Sequence, residues 1–455
     1  MDSAPLRAPL LGASTSTRRT ATSRIAVPCL AIGLLLLMLA VLLTTGPSAR
    51  LAKLPTITQG AASTNALLIL GVGGAAWSNG SRAFSGADDG YLTWACGLTD
   101  GAIALVDETK STLWKWYPSD QQSQSRTAVA ATLETLRRPV QCVQYNDRVY
   151  VACFGDEDNP GYSGIAIVHV SSWSMERERP MGTHVHHVYP MRDGRTLLYT
   201  DVGDPWITPP TLGGLFQVTL ALTEPRFPPK RIGPPMHARA AMLPAEAEAV
   251  SIDRLGSHRG RSGGDGKSST SGATPTSMID GSSSNATMAT PSGSGSASFV
   301  HIITQEPFGE ATRIVTLVRD SWTTFEPQAV AAVGGELTLP APSLPSDGGA
   351  DIFALGGQRV FASDRYGGNG MLYELSTESV VGEGCLRIDA SVQVGVHPRY
   401  TFPCDGVRGE VLSLICSVSR DDGLVTTIDA GVLPMRVVAR QPVHIEQPSF
   451  AISWA

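Results

Sequence analysis

The sequence predicts an all-β protein, a radial propeller set behind one N-terminal transmembrane helix, and three observations predict it. A strand, polar turn, strand unit recurs along the chain; its starts are spaced by roughly 50 residues; and one apolar run, Ile25–Thr45, is long enough to cross a bilayer.

The first 24 residues are small and polar, with Arg7, Arg18, Arg19 and Arg24 against Asp2 alone. Ile25–Thr45 contains LLLLMLAVLL, and its 21 residues match a hydrocarbon core at the helical rise of about 1.5 Å per residue. The cationic excess ahead of the run keeps the amino end cytoplasmic and sends the rest of the chain across. The expectation is a single-pass type II membrane protein: cytoplasmic tail 1–24, signal anchor 25–45, linker 46–60, and a lumenal or extracellular propeller over 61–455. The bilayer is then a partner through residues 25–45. A cleaved signal or targeting peptide competes with it, because the leader is Ser/Thr/Arg-rich and small residues follow the run.

Beyond this run, Leu67–Gly71, Tyr91–Cys96 and Ala102–Val106 read as extended. Arg148–Cys153 with Gly164–Val170 then sets a pattern that returns four times: Thr196–Thr200 with Gly214–Leu220, Phe299–Thr304 with Ile314–Val318, Arg359–Ser363 with Gly370–Leu375, and Val411–Cys416 with Leu424–Ile428. The starts at Val149, Leu197, Val300, Val360 and Val411 are 48, 103, 60 and 51 positions apart. The long step holds Asp253–Ser298, dense in Gly, Ser and Thr, which cannot repay its ordering entropy by burial and reads as a flexible insertion. A unit of this size cannot bury its own faces, which favours a propeller over a β-sandwich.

A formal charge of −6 without a basic block excludes a nucleic-acid backbone as partner. Cys96, Cys142, Cys153, Cys385, Cys404 and Cys416, with acceptor sequences at Asn79-Gly80-Ser81 and Asn285-Ala286-Thr287, suit an oxidising compartment, although the spacings choose no pairing and match no zinc pattern. Trp114 and Trp116, two apart, describe blade core better than a sugar-facing patch. The oxygen-rich stretch Asp156–Gly161 reads as a turn rather than a calcium loop.

The stretch His184–Trp206 places His184, His186 and His187 before an Asp193-Gly194 turn and a strand with an acidic far end. On an extended chain His184 and His186 share one face. Two rings on one face can cap a strand, move a proton or hold a metal.

These residues carry a family resemblance. HVHHV followed by RDGR and LLYTDVG resembles the His-containing strand approach of the lactonase seven-bladed propellers, the 6-phosphogluconolactonase and carboxy-muconate cyclase group. Arg359–Arg365, RVFASDR, resembles the strand end that delivers an arginine to that family's cleft, and Gly395–Arg399 its His-Pro-Arg entry to another blade. The resemblance covers residues 61–455 without the insertion. It implies seven blades closed by pairing of the terminal strands, and a site of one histidine, two arginines and a glutamate. Carried over by position, these are His186, Arg239, Arg365 and Glu306, with Arg239 one residue out of the family's spacing.

Arginines clamp carboxylates and a histidine of near-neutral pKa moves protons. The resemblance therefore implies a membrane-anchored lactonase or muconate-type cycloisomerase acting on a small carboxylated lactone or unsaturated acid, with no cofactor. The alternative is a noncatalytic propeller that binds small acids or a protein partner.

Overall fold

The computed structural model describes residues 66–85, 89–118, 128–156, 158–207, 209–219, 228–244, 247, 298–307, 310–319, 322, 330–340, 349–355, 359–364, 370–377, 386–404 and 414–454. Among these residues, 28 strands form seven four-stranded antiparallel sheets. One edge strand of each sheet touches its counterpart in the next, and the contacts close a circle: Glu446–Trp454, Leu92–Gly97, Pro139–Tyr145, Val185–Pro190, Ala238–Met242, Gly349–Leu355, Pro398–Pro403, and back to the first. These are the inner strands of a seven-bladed propeller. Blade 1 joins both ends of the described chain, because Glu446–Trp454 pairs with Ala66–Val72, and blades 2 to 7 follow in order.

Composition dictates the radial order. Second strands such as Ile103–Asp107 and Thr196–Asp204 are buried throughout, since both of their faces meet other blades. Outer strands such as Ser174–Pro180 (SMERERP) and Arg436–Pro442 (RVVARQP) are polar and largely exposed. No blade buries its faces alone: Ala104 and Val106 of blade 2 pack with Val149, Val151 and Ala166 of blade 3 in one apolar cluster. The recurrent starts at Val149, Leu197, Val300 and Val360 all fall on second strands. Trp114 and Trp116 pack on Phe84, with ring centroids 5.8 and 6.0 Å away, in the layer between blades 1 and 2. Two disulfides tie inner strands: Cys96–Cys142 links blades 2 and 3, and Cys404–Cys416 lies within blade 7. Cys153 is a buried free thiol, pushed up by desolvation.

The structure corrects the expectation of a membrane-anchored protein. Among the described residues no helix is long and apolar enough to cross a membrane. The one helix described is the 3-10 turn Pro160–Tyr162, whose three residues span about 6 Å against a hydrocarbon core of about 30 Å. Ile25–Thr45, the expected anchor and bilayer contact, lies outside the described residues. The type II topology and the lumenal or extracellular placement lose their support with the helix.

The flanks of the Gly/Ser-rich segment are the inner and second strands of blade 5, paired from Ala238↔Thr304 to Met242↔His301. Ser298, assigned to the insertion on composition, begins that second strand, and the rest of Asp253–Ser298 lies outside the described residues. The chain leaves the inner strand after Met242 and returns at Ser298, the end of the blade 5 strand pair away from Arg239.

Candidate functional site

Side chains of a regular strand stand perpendicular to their sheet. In a radial sheet that direction leads into the layers between blades, so aiming a residue at the axis requires a break in the ladder. Every inner strand contains such a break in its pairing with the second strand. In five blades the residue passed over is Thr93, Val140, His186, Arg239 or Arg399. In blade 6 it is Ala350, immediately before Asp351, and in blade 1 the shift spans Ser449. A β-bulge turns its residue out of the ladder, and these seven, Asp351 and Ser449 included, line one axial cavity, one from each blade.

The cavity volume is about 60 Å³, room for roughly four waters. Its wall is asymmetric. Blades 4 to 7 supply His186, Arg239, Asp351 and Arg399; blades 1 to 3 supply Ser449, Thr93, Val140 and Tyr91, with one charged group, Glu108, which is paired with Arg138 at 2.9 Å. The residues following three of the bulges, Trp94, Tyr400 and Phe450, pack together with ring centroids 4.1 to 5.1 Å apart and brace the ring.

The imidazoles of His186 and His187 stack at 4.7 Å with their Nδ1 atoms 2.8 Å apart, and His187 Nδ1 also lies 3.0 Å from the Arg239 carbonyl oxygen. A carbonyl only accepts, so the hydrogen-bond partners assign the Nδ1 proton to His187, shared with the lone pair of His186. Desolvation pushes the His187 pKa down to about 3, and the Arg239 charge acts in the same direction. Arg239 is only 5% exposed and donates from Nη1 to Gln305 Oε1 at 2.6 Å.

Asp351 keeps part of its surface open to the cavity but is packed deeply enough for desolvation to push its carboxyl up to about 7, against the N–H donors of Ile352 and Thr401 and the charge of Arg239. Arg399 is half-buried, and its Nε is enclosed without a hydrogen-bond partner among the described residues.

His186 and Arg239, chosen from sequence, therefore share the cavity. Glu306 does not line it: the residue is 2% exposed and accepts from Arg313 Nε at 2.7 Å, and Arg313 reaches on to Glu336. Its neighbour Gln305 is the one that touches Arg239. Arg365 lies outside the described residues, directly after the strand Arg359–Asp364. Asp351 and the axial position of Arg399 were not foreseen. A signal for Arg399 was present, because His184-Val185-His186, His237-Ala238-Arg239 and His397-Pro398-Arg399 repeat one pattern, a histidine two residues ahead of the bulge residue, in three blades. Asp351 follows Gly349-Ala350 and had no such marker.

No family model and no curated protein matches the chain. Solved structures do match, at low identity. The periplasmic gluconolactonase of Pseudomonas aeruginosa superposes with a TM-score of 0.53 at 12% identity over 85% of this chain and 98% of its own. A Bacteroides fragilis protein described provisionally as a 6-phosphogluconolactonase gives 0.52 at 10%, over 85% and 97%. A Sulfolobus tokodaii protein described as a hypothetical selenium-binding protein gives 0.52 at 9%, over 85% and 93%. The chain shares the seven-bladed propeller fold of these proteins. Equal similarity to differently described proteins means that the fold does not choose the chemistry.

Proposed function

We propose that the chain is a binding propeller whose axial cavity takes the carboxylate of a small metabolite. The membrane-anchored lactonase or cycloisomerase expected from sequence is set aside, because no membrane-spanning helix occurs among the described residues and the structural matches carry fold alone. The observation that carries the proposal is Arg399, a guanidinium on the cavity wall whose enclosed Nε has no hydrogen-bond partner among the described residues. A buried donor left unmade is costly, and a carboxylate is the group that a guanidinium fork matches best. Arg239 adds a second positive charge, and the cavity admits a carboxylate with a few further atoms.

Calorimetric titration of the full-length protein with compact mono- and dicarboxylates tests this. Binding is expected, weakened roughly tenfold or more by Arg399→Ala and partly restored by Arg399→Lys. Equal affinity in all three proteins, or no binding by the wild type, overturns it.

Asp351 supports a second proposal, the opening of a small lactone. A carboxyl that titrates near 7 exchanges protons at neutral pH, which holding a carboxylate does not require. Water would add to the lactone carbonyl while the Asp351 carboxylate takes its proton. The acyl carbon to ring-oxygen bond then breaks, and the same proton passes to the departing oxygen. Asp351→Asn should lower lactone turnover at least 100-fold while carboxylates still bind. Absence of turnover by the wild type would leave binding alone.

A further inference from the structure

The hairpin joining Thr196–Asp204 to Thr211–Thr219 in blade 4 rises at the cavity end of the propeller. Val185, the neighbour of His186, pairs with Asp201, and the ladder continues outward through Gly203↔Leu212 and Asp204↔Thr211. Its strand ends are closely packed: Gly203 has φ +70, a Cβ there would meet the Thr211 carbonyl oxygen, and the Trp206 backbone N–H donates to Asp204 Oδ1 at 3.1 Å. Yet Trp206, Ile207 and Leu212 stand in solvent, at 44, 49 and 43% exposure.

Trp206 is connected to the cavity by aromatic contacts. Its ring lies 5.5 Å from His184 and 6.0 Å from Phe154, and Phe154 stands edge-on 6.0 Å from His186. Phe154 is held in turn by His184, stacked at 4.4 Å, and by the Arg138 guanidinium at 5.1 Å. One ring thus separates the half-exposed indole from a residue of the cavity wall.

We propose that the ligand is a carboxylate with an apolar chain that leaves the cavity on the blade 4 side and lies on Trp206, Ile207 and Leu212. The proposal rests on the carboxylate reading of the cavity. About 60 Å³ accommodates the head group and little more, so a larger ligand must emerge, and on this side it meets carbon surface. A polyhydroxylated body would gain few hydrogen bonds from these three side chains.

The test is a series of straight-chain acids from acetate to octanoate, titrated into the full-length wild type, Trp206→Ala and Trp206→Phe. Once the chain passes the mouth, wild-type affinity should rise roughly threefold per added methylene. Trp206→Ala should flatten that rise while leaving acetate unchanged, and Trp206→Phe should keep most of it. A wild-type affinity independent of length, or a loss in Trp206→Ala as large for acetate as for octanoate, overturns the inference while the head-group site stands. Failure of every acid to bind removes both.

Discussion

His187 and Asp351 sit on neighbouring parts of one wall and respond to burial with opposite effects on stability. Burial holds His187 neutral, with a pKa near 3, so below about 6.5 the unfolded chain binds a proton that the folded chain refuses. Its contribution is complete above about 6.5 and is lost as the pH falls toward 3. Asp351 has the reverse sign: between about 4 and its folded value near 7 the native state holds a proton that the unfolded chain has released, so stability falls as the pH rises through that window. Over most of this range the two slopes oppose each other. Asp351→Asn removes one of them, and denaturant melts across pH 4 to 7 should show the variant gaining on the wild type by about 1.4 kcal/mol per pH unit. Parallel stability curves would mean that the Asp351 carboxyl titrates like an exposed one.

At the scale of the element, the second and third strands were legible because they are apolar on both faces, as in VYVAC, TLLYT and RVFAS. Inner strands were harder to see, and the reason is functional. VHHVYP, Val185–Pro190, is a fully buried strand, yet its histidines read as a polar approach to the turn that follows. The bulge that aims His186 at the axis also breaks the period of two by which a strand is detected. Arg239 was found through the resemblance, and its one-residue departure in spacing concerned a strand whose ladder is shifted beside that residue. Glu306 was assigned to the site because an acid at the end of a second strand matched the family pattern. The blade-end loop instead directs it to Arg313 and leaves the contact with Arg239 to Gln305. Of the acids that do reach the cavity, Glu108 follows the second strand of blade 2 and Asp351 lies on an inner strand, Gly349–Leu355, whose first residues are small.

The molecule as a whole is a ring completed by one strand pairing. Bringing residue 450 to residue 70 closes a loop of nearly the entire propeller, at an entropic cost on the order of 5 kcal/mol. Pairing from Leu70↔Phe450 to Ala66↔Trp454 offsets that cost, and Phe450 carries much of it, because its buried ring touches Tyr400 of blade 7 and Trp94 of blade 2 as well as sitting in blade 1. Phe450→Ala should cost about 3–5 kcal/mol, a loss comparable to the closure cost itself. The ring should then open at the junction before any blade melts. Amide exchange is the measurement that separates this from uniform weakening: protection should fall first in Ala66–Val72 and Glu446–Trp454 and last in the second strands of blades 3 to 5, such as Thr196–Asp204. An equal loss of protection in every blade would show that closure is no weaker than the layers between blades.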